Sequence, residues 1–126
     1  MKKILRISLY VMAILYMLAG LNHFLRPQSY LPLMPPYIPA PELMNYLAGI
    51  AEVLLGLGLI FKATRKWSAW GVILMLLAFL PVHIYFIQVD SCIENSLCLP
   101  PWAGWVRLVL IHPVLLGWAF LFTKER

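Results

Sequence analysis

Three histidines and a lone deep carboxylate stand in stretches that are otherwise built from Leu, Ile, Val, Ala and aromatic residues. They are His23, Glu52, His83 and His112, accompanied by Asn22 and Arg107. Ionisable groups within apolar spans face a bundle interior or a wet cavity and are functional candidates by default. Imidazoles beside a carboxylate can shuttle protons, ligate a transition metal, or line a quinone or lipid pocket. The chain has no His-x-x-x-His or Cys-x-x-Cys spacing, so no metal is assigned. Plain structural readings stand beside these. Each histidine can be a packed neutral residue donating to a carbonyl. Glu52 can be a protonated acid bonded across helices, or can pair with Arg107.

Helix rise sets the depth of these residues. Glu52 is ten residues from Glu42, about 15 Å inward, near the middle of a hydrocarbon core about 30 Å thick. His112 lies at a similar depth measured from Trp102, and His83 is about 10 Å from Asp90. Asn22 and His23 end their span just before Arg26. All six therefore belong to the outer half of the membrane, and one shared pocket open to the outside is expected. Periodicity points Glu52 inward, because Asn45, Gly49, Glu52 and Gly56 form one seam of small and polar residues suited to close helix approach. Met12, Tyr16, Ala19 and His23 make a matching stripe. Arg107 and His112 lie about 140° apart on an α-helix, so Arg107 is expected to snorkel outward instead.

Cys92 and Cys98 share one outer connection. An even cysteine count facing an oxidising compartment suggests a disulfide, here a structural clip. The alternative is a redox pair serving a membrane partner.

The elements that position these groups follow from composition. Hydrophobic residues make up 63% of the 126 residues and charged residues 12%, with a mean hydropathy of +0.84. A soluble domain is about half apolar and a quarter charged, so a water-soluble globule is excluded. Four apolar stretches, 7–25, 43–61, 67–89 and 103–122, can each cross a bilayer as a helix. The expected fold is all-α: a single four-helix transmembrane domain over 1–126. The net charge of +5 comes from ten Lys and Arg against five Asp and Glu. Lys2, Lys3, Arg6, Lys62, Arg65, Lys66, Lys124 and Arg126 all fall on one side of those spans. The positive-inside rule then places both termini in the cytoplasm. The basic balance is thus an orientation signal, and no nucleic-acid partner is expected. Trp67 and Trp70 at one boundary, and Trp102 and Trp105 at the other, suit an interfacial belt. The basic start could also be a signal peptide, but without a clear cleavage site it reads as an uncleaved first helix.

The second and third spans are joined by the five residues from Lys62 to Lys66, so they must be antiparallel neighbours. The first outer connection holds Pro27, Pro32, Pro35, Pro36, Pro39 and Pro41, and proline at this density prevents a continuous helix. Interleaved Leu, Met, Tyr and Ile make it too apolar for a solvated linker. It is expected to be a stiff extracytoplasmic cap, with Tyr30 and Tyr37 facing the interface.

Several of these residues resemble a known pattern. Ala19-Gly-Leu-Asn-His-Phe24, Pro27, Tyr30, Met34-Pro-Pro-Tyr-Ile-Pro39, Gly49, Glu52 and Gly56-Leu-Gly-Leu59 are similar to the DoxX-like family of small four-helix membrane proteins. Thr64-Arg65, Ala69-Trp-Gly71 and Pro81 to Tyr85 extend the likeness over most of the chain. His83 stands where that family usually has Asn, and Arg107-Leu108 match only part of its fourth-helix pattern. The resemblance implies a bacterial inner-membrane protein associated with a thiosulfate:quinone oxidoreductase or another membrane redox complex. It also implies an alternative, since an animal relative is a chaperone for membrane receptors.

Two functions are therefore expected. The first is a redox accessory subunit binding a quinone-like or other small apolar ligand in the outer pocket. The second is a non-catalytic assembly factor. The partners expected are the lipid bilayer and either another membrane protein or further copies of this chain.

Overall fold

The computed structural model describes residues 1–94 and 96–124. Arg126, counted above among the basic residues of one side, lies outside them. Four helices follow one another: α1 (Lys3–Leu25), α2 (Pro41–Ile60), α3 (Lys62–Gln88) and α4 (Pro101–Phe120), each long and apolar enough to cross a membrane. Pro41 and Pro101 open their helices, where the missing N–H would have no intrahelical partner. Pro81 and Pro113 are internal and leave marks. Helix α3 breaks at Phe79, and α4 passes through a π-helical segment at Arg107–Ile111 just before Pro113. Both are recognised ways for a helix to absorb a proline.

The connection between α2 and α3 is shorter than the sequence suggests. Lys62 already begins α3, and Phe61 alone makes the turn in extended geometry. The turn is stabilised by side chains that satisfy the carbonyls α2 leaves unbonded at its C-terminus. Thr64 Oγ1 donates to Gly58 O at 2.6 Å, and Arg65 donates to the carbonyls of Leu59 and Ile60 at 2.9 and 3.0 Å. A cation there also meets the negative end of the α2 dipole.

The apolar core lies toward this basic end, where Leu9, Met12, Ala13, Leu59, Ala69, Val72, Leu76, Ala119 and Phe122 pack together. Trp118 Nε1 donates to Ser8 Oγ at 2.7 Å and ties α4 to α1. Trp70 meets Phe120 edge to face and ties α3 to α4. Outward rows such as Leu18, Leu54, Leu74, Val109 and Val114 remain exposed. Such contiguous apolar surface on every helix is what lipid contact requires, and the four apolar helices fit an integral membrane protein.

Both outer connections are ordered by different means. The Pro-rich segment folds as two short 3-10 turns, Pro27–Ser29 and Leu31–Leu33, with Pro35 fully buried and Pro36 exposed. Tyr37 is exposed, but Tyr30 turns inward, so the expectation that both tyrosines face the interface is corrected for Tyr30. The second connection joins Cys92 to Cys98 in a disulfide across an isolated antiparallel bridge. It begins with Asp90 and Ser91 in left-handed backbone, φ 56° and 60°. Non-glycine residues there carry a cost of about 1–3 kcal/mol. Buried Ser91 over-determines that turn: its Oγ accepts the Gly104 N–H at 2.9 Å and donates to Pro101 O at 3.1 Å.

Candidate functional site

Helices α1 and α2 approach along the seam the sequence suggests. Asn45, Gly49, Glu52 and Gly56 are all buried on α2, facing Tyr16, Gly20 and His23 of α1. Gly20 rather than Ala19 makes the tight contact. A Cβ on Gly20 would stand 2.6 Å from Gly49 O and 2.8 Å from Val53 N. This backbone proximity sets which polar side chains meet.

His23 is held from three sides. Its Nδ1 lies 2.6 Å from Asn45 Oδ1, while Asn45 Nδ2 donates to His23 O at 2.9 Å. A carbonyl oxygen only accepts, so it fixes the orientation of the Asn45 amide. Asn45 Oδ1 therefore accepts, and His23 Nδ1 must carry hydrogen. The remaining nitrogen, Nε2, faces Glu52 Oε2 at 3.4 Å, within ion-pair range but outside hydrogen-bond geometry. With Nδ1 already protonated, attraction between Nε2 and Oε2 requires one further proton, either on the imidazole or on the acid. The pair is thus a one-proton site between helices. Tyr16 is close enough to feel the Glu52 charge, and its buried hydroxyl has no hydrogen-bond partner. Over the other face of His23 the Tyr30 ring stacks at 3.9 Å, and Asn22 Nδ2 donates to Tyr30 Oη at 2.6 Å. The Pro-rich segment therefore covers the pair on the side away from the basic end.

The remaining candidates assemble on α3 and α4. His83 and His112 meet edge to face with ring centroids 4.8 Å apart. His112 is 3% exposed. His112 faces the Leu76 carbonyl, but neither its ring nitrogens nor His83 Nδ1 forms a hydrogen bond of good geometry. Arg107 is half-buried, its guanidinium 5.2 Å above the Phe86 ring, and its charge reaches both histidines. The expectation that Arg107 snorkels away is corrected here. It assumed α-helical geometry, but across the π segment the His112 N–H bonds Arg107 O. An i to i+5 bond brings these two residues toward one face.

The six candidates thus form two groups, both away from the basic end of the bundle. Asn22, His23 and Glu52 belong to the α1–α2 seam, and His83, Arg107 and His112 to the α3–α4 junction. Among the described residues no hydrogen bond, ion pair or ring contact joins one group to the other, and no three of His, Cys, Asp or Glu converge as a metal cage. Asn45 and Tyr16 join the site although the sequence marks them only as seam and stripe residues. For Asn45 the signal was present: a lone amide within a span, two turns from Glu52 on the same face.

No curated protein and no solved structure matches the chain. A family model described as a domain of unknown function does match, over residues 12–123, and so takes in the second half of α1, the other three helices and both polar groups. The chain belongs to that family, DUF8561.

Proposed function

We propose that the chain is an accessory protein of a membrane redox system in a bacterial inner membrane. In this reading both termini are cytoplasmic, His23 and Glu52 handle a proton, and a quinone-like ligand occupies the outer half. The observation that supports this best is the one-proton site between His23 Nε2 and Glu52 Oε2. A proton held between two ionisable groups in an apolar bundle is what proton-coupled electron transfer uses. His83 Nδ1 is a buried donor or acceptor without a protein partner, and His112 beside it approaches only the Leu76 carbonyl, which suits a carbonyl-bearing ring. Bound there, a quinone would supply a two-electron, two-proton couple. Arg107 would bias the site toward a partial negative charge on the ligand oxygen. The DoxX-like resemblance and the clustering of basic residues at one end support the same assignment and orientation.

Glu52→Gln preserves side-chain size and removes the acid. It is expected to abolish quinone-dependent activity in membranes while the protein still inserts and folds. Unchanged activity would reject the reading. An absorbance scan of protein purified in mild detergent should show a quinone chromophore, and a reporter fused to the C-terminus should be active on the cytoplasmic side.

A second reading, an assembly factor for another membrane protein, is favoured by the cap, where Tyr37 is 70% exposed between exposed Pro36 and Pro39. It predicts a stoichiometric protein partner in native mass spectrometry and no chromophore.

A further inference from the structure

At the end opposite both polar groups, a cavity of about 280 Å³ opens between the start of α1 and the α2–α3 turn, lined by Met1, Arg6, Tyr10, Lys62 and Arg65. Three of its five lining residues are cations and none is acidic. Among the described residues none of Arg6, Lys62 and Arg65 has a carboxylate within ion-pair distance, since the ion pair found there is His23–Glu52. Arg65 is fixed in place by the carbonyls of Leu59 and Ile60, and these acceptors with the α2 dipole offset only part of its charge, with no carboxylate against it among the described residues. Two other cations near this end are occupied differently: Lys66 lies over the Trp67 ring and Lys124 over the Phe120 ring. The cavity is therefore a preformed concave site for negative charge, held by a capped turn.

Its surroundings select the kind of anion. Arg6 and Tyr10 are one helical turn apart on α1, and the same face continues as Ile14 and Leu21, both about half exposed. These four positions fall within an arc of about 80°. A charged cup thus sits at the head of an apolar strip, at the level where a span leaves the hydrocarbon. Pockets for whole drug-sized ligands measure about 300–1,000 Å³, so this one suits a headgroup whose tails lie outside it. Basic pockets between helix ends are a recurrent way to hold anionic lipid headgroups.

We propose that this cavity binds the phosphodiester of an anionic phospholipid, through Arg6, Lys62 and Arg65, with the acyl chains lying along the Ile14–Leu21 face of α1. The proposal does not depend on the redox reading.

The test uses the full chain in nanodiscs of mixed phosphatidylglycerol and phosphatidylcholine, with retained lipid identified by native mass spectrometry. Phosphatidylglycerol should be retained preferentially. Arg6→Gln with Lys62→Gln should weaken its retention about 25-fold, at about fivefold per charge. Lys66→Gln with Lys124→Gln removes the same charge from outside the cavity, where no preformed cup holds a headgroup, and should weaken retention clearly less than the cavity pair. Equal losses in the two double variants would overturn the site in favour of diffuse surface charge. Equal retention of both lipids would overturn it as well. In a separate arm, inorganic phosphate is added to detergent-purified protein. If it stabilises the protein as much as phosphatidylglycerol does, the lipid assignment is overturned and the cavity is a free-phosphate site. Circular dichroism checks folding, and Lys62→Gln alone, at about fivefold, keeps the test decisive if the double variant folds poorly.

Discussion

In the α1–α2 seam, His23 is gripped by an amide, a carboxylate and a stacked tyrosine, across backbones so close that a methyl group would not fit. At the α3–α4 junction, His83 and His112 touch through their rings, three ring nitrogens lack a well-formed hydrogen bond, and the helices around them carry a break and a π segment. The first arrangement holds one geometry and one tautomer. The second has side chains ready for a partner and backbone irregularities that let the helices adjust. Proton handling needs the fixed geometry, while ligand entry needs a surface that gives, so the contrast matches the division of roles proposed above.

The strongest way to break this comparison is a pair of identical substitutions. Gly20→Ala forces a methyl against the Gly49 carbonyl and the Val53 amide, neither of which can move alone, and should cost about 2–3 kcal/mol. Gly117→Ala on α4 meets nothing within 4 Å and should be neutral or gain up to about 1 kcal/mol from helix propensity. Denaturant titration in mild detergent measures both. If the two behaved alike, the seam would not be the rigid half.

Next in size is reduction of Cys92–Cys98. Closing so short a loop is worth about 2 kcal/mol in the chain-entropy account. Reduction should speed amide exchange around residues 90–104 and leave α1 and α2 unchanged. Exchange rising equally in α1 would mean that the two halves are coupled.

Smallest is the contrast between two buried polar residues. Asn45→Ala removes both hydrogen bonds to His23. Interhelical hydrogen bonds in membranes average about 0.6 kcal/mol, so a loss of about 1–2 kcal/mol is expected. His112→Leu gives up only a poorly aligned contact with the Leu76 carbonyl and should shift stability by less than about 1 kcal/mol, while impairing whatever activity the junction supports. Comparable losses from both would show that His112 is as tightly satisfied as His23.

These outcomes bear on how much could be read in advance. The α2 seam was legible because Asn45, Gly49, Glu52 and Gly56 repeat at the helical period, and that period is a local property. Depth was legible too, because helix rise is constant. The pairing of His23 with Asn45 was not, since it depends on the axial offset between α1 and α2, which the Gly20–Gly49 contact sets. Arg107 is not legible in this way, because the α-helical angle turns it away from His112 and a π segment changes that angle. Tyr30 was placed at the interface on amphipathic grounds, but two 3-10 turns bring it back over His23. The five residues from Lys62 to Lys66 looked like a linker because they are polar. They are helical because the end of α2 offers Thr64 and Arg65 acceptors at once.

By itself the sequence determined the class of molecule and its inventory: four apolar spans, a basic end, and a few polar groups set toward the opposite end. Hydrophobicity and charge act residue by residue, so composition and order suffice for that much. Only the tertiary structure decided that one supposed pocket is two groups, that His23 has a fixed tautomer opposite Glu52, and that three cations surround a cavity at the far end. Those facts depend on distances of a few ångströms between separate helices, set by how backbones pack, and no local pattern encodes them.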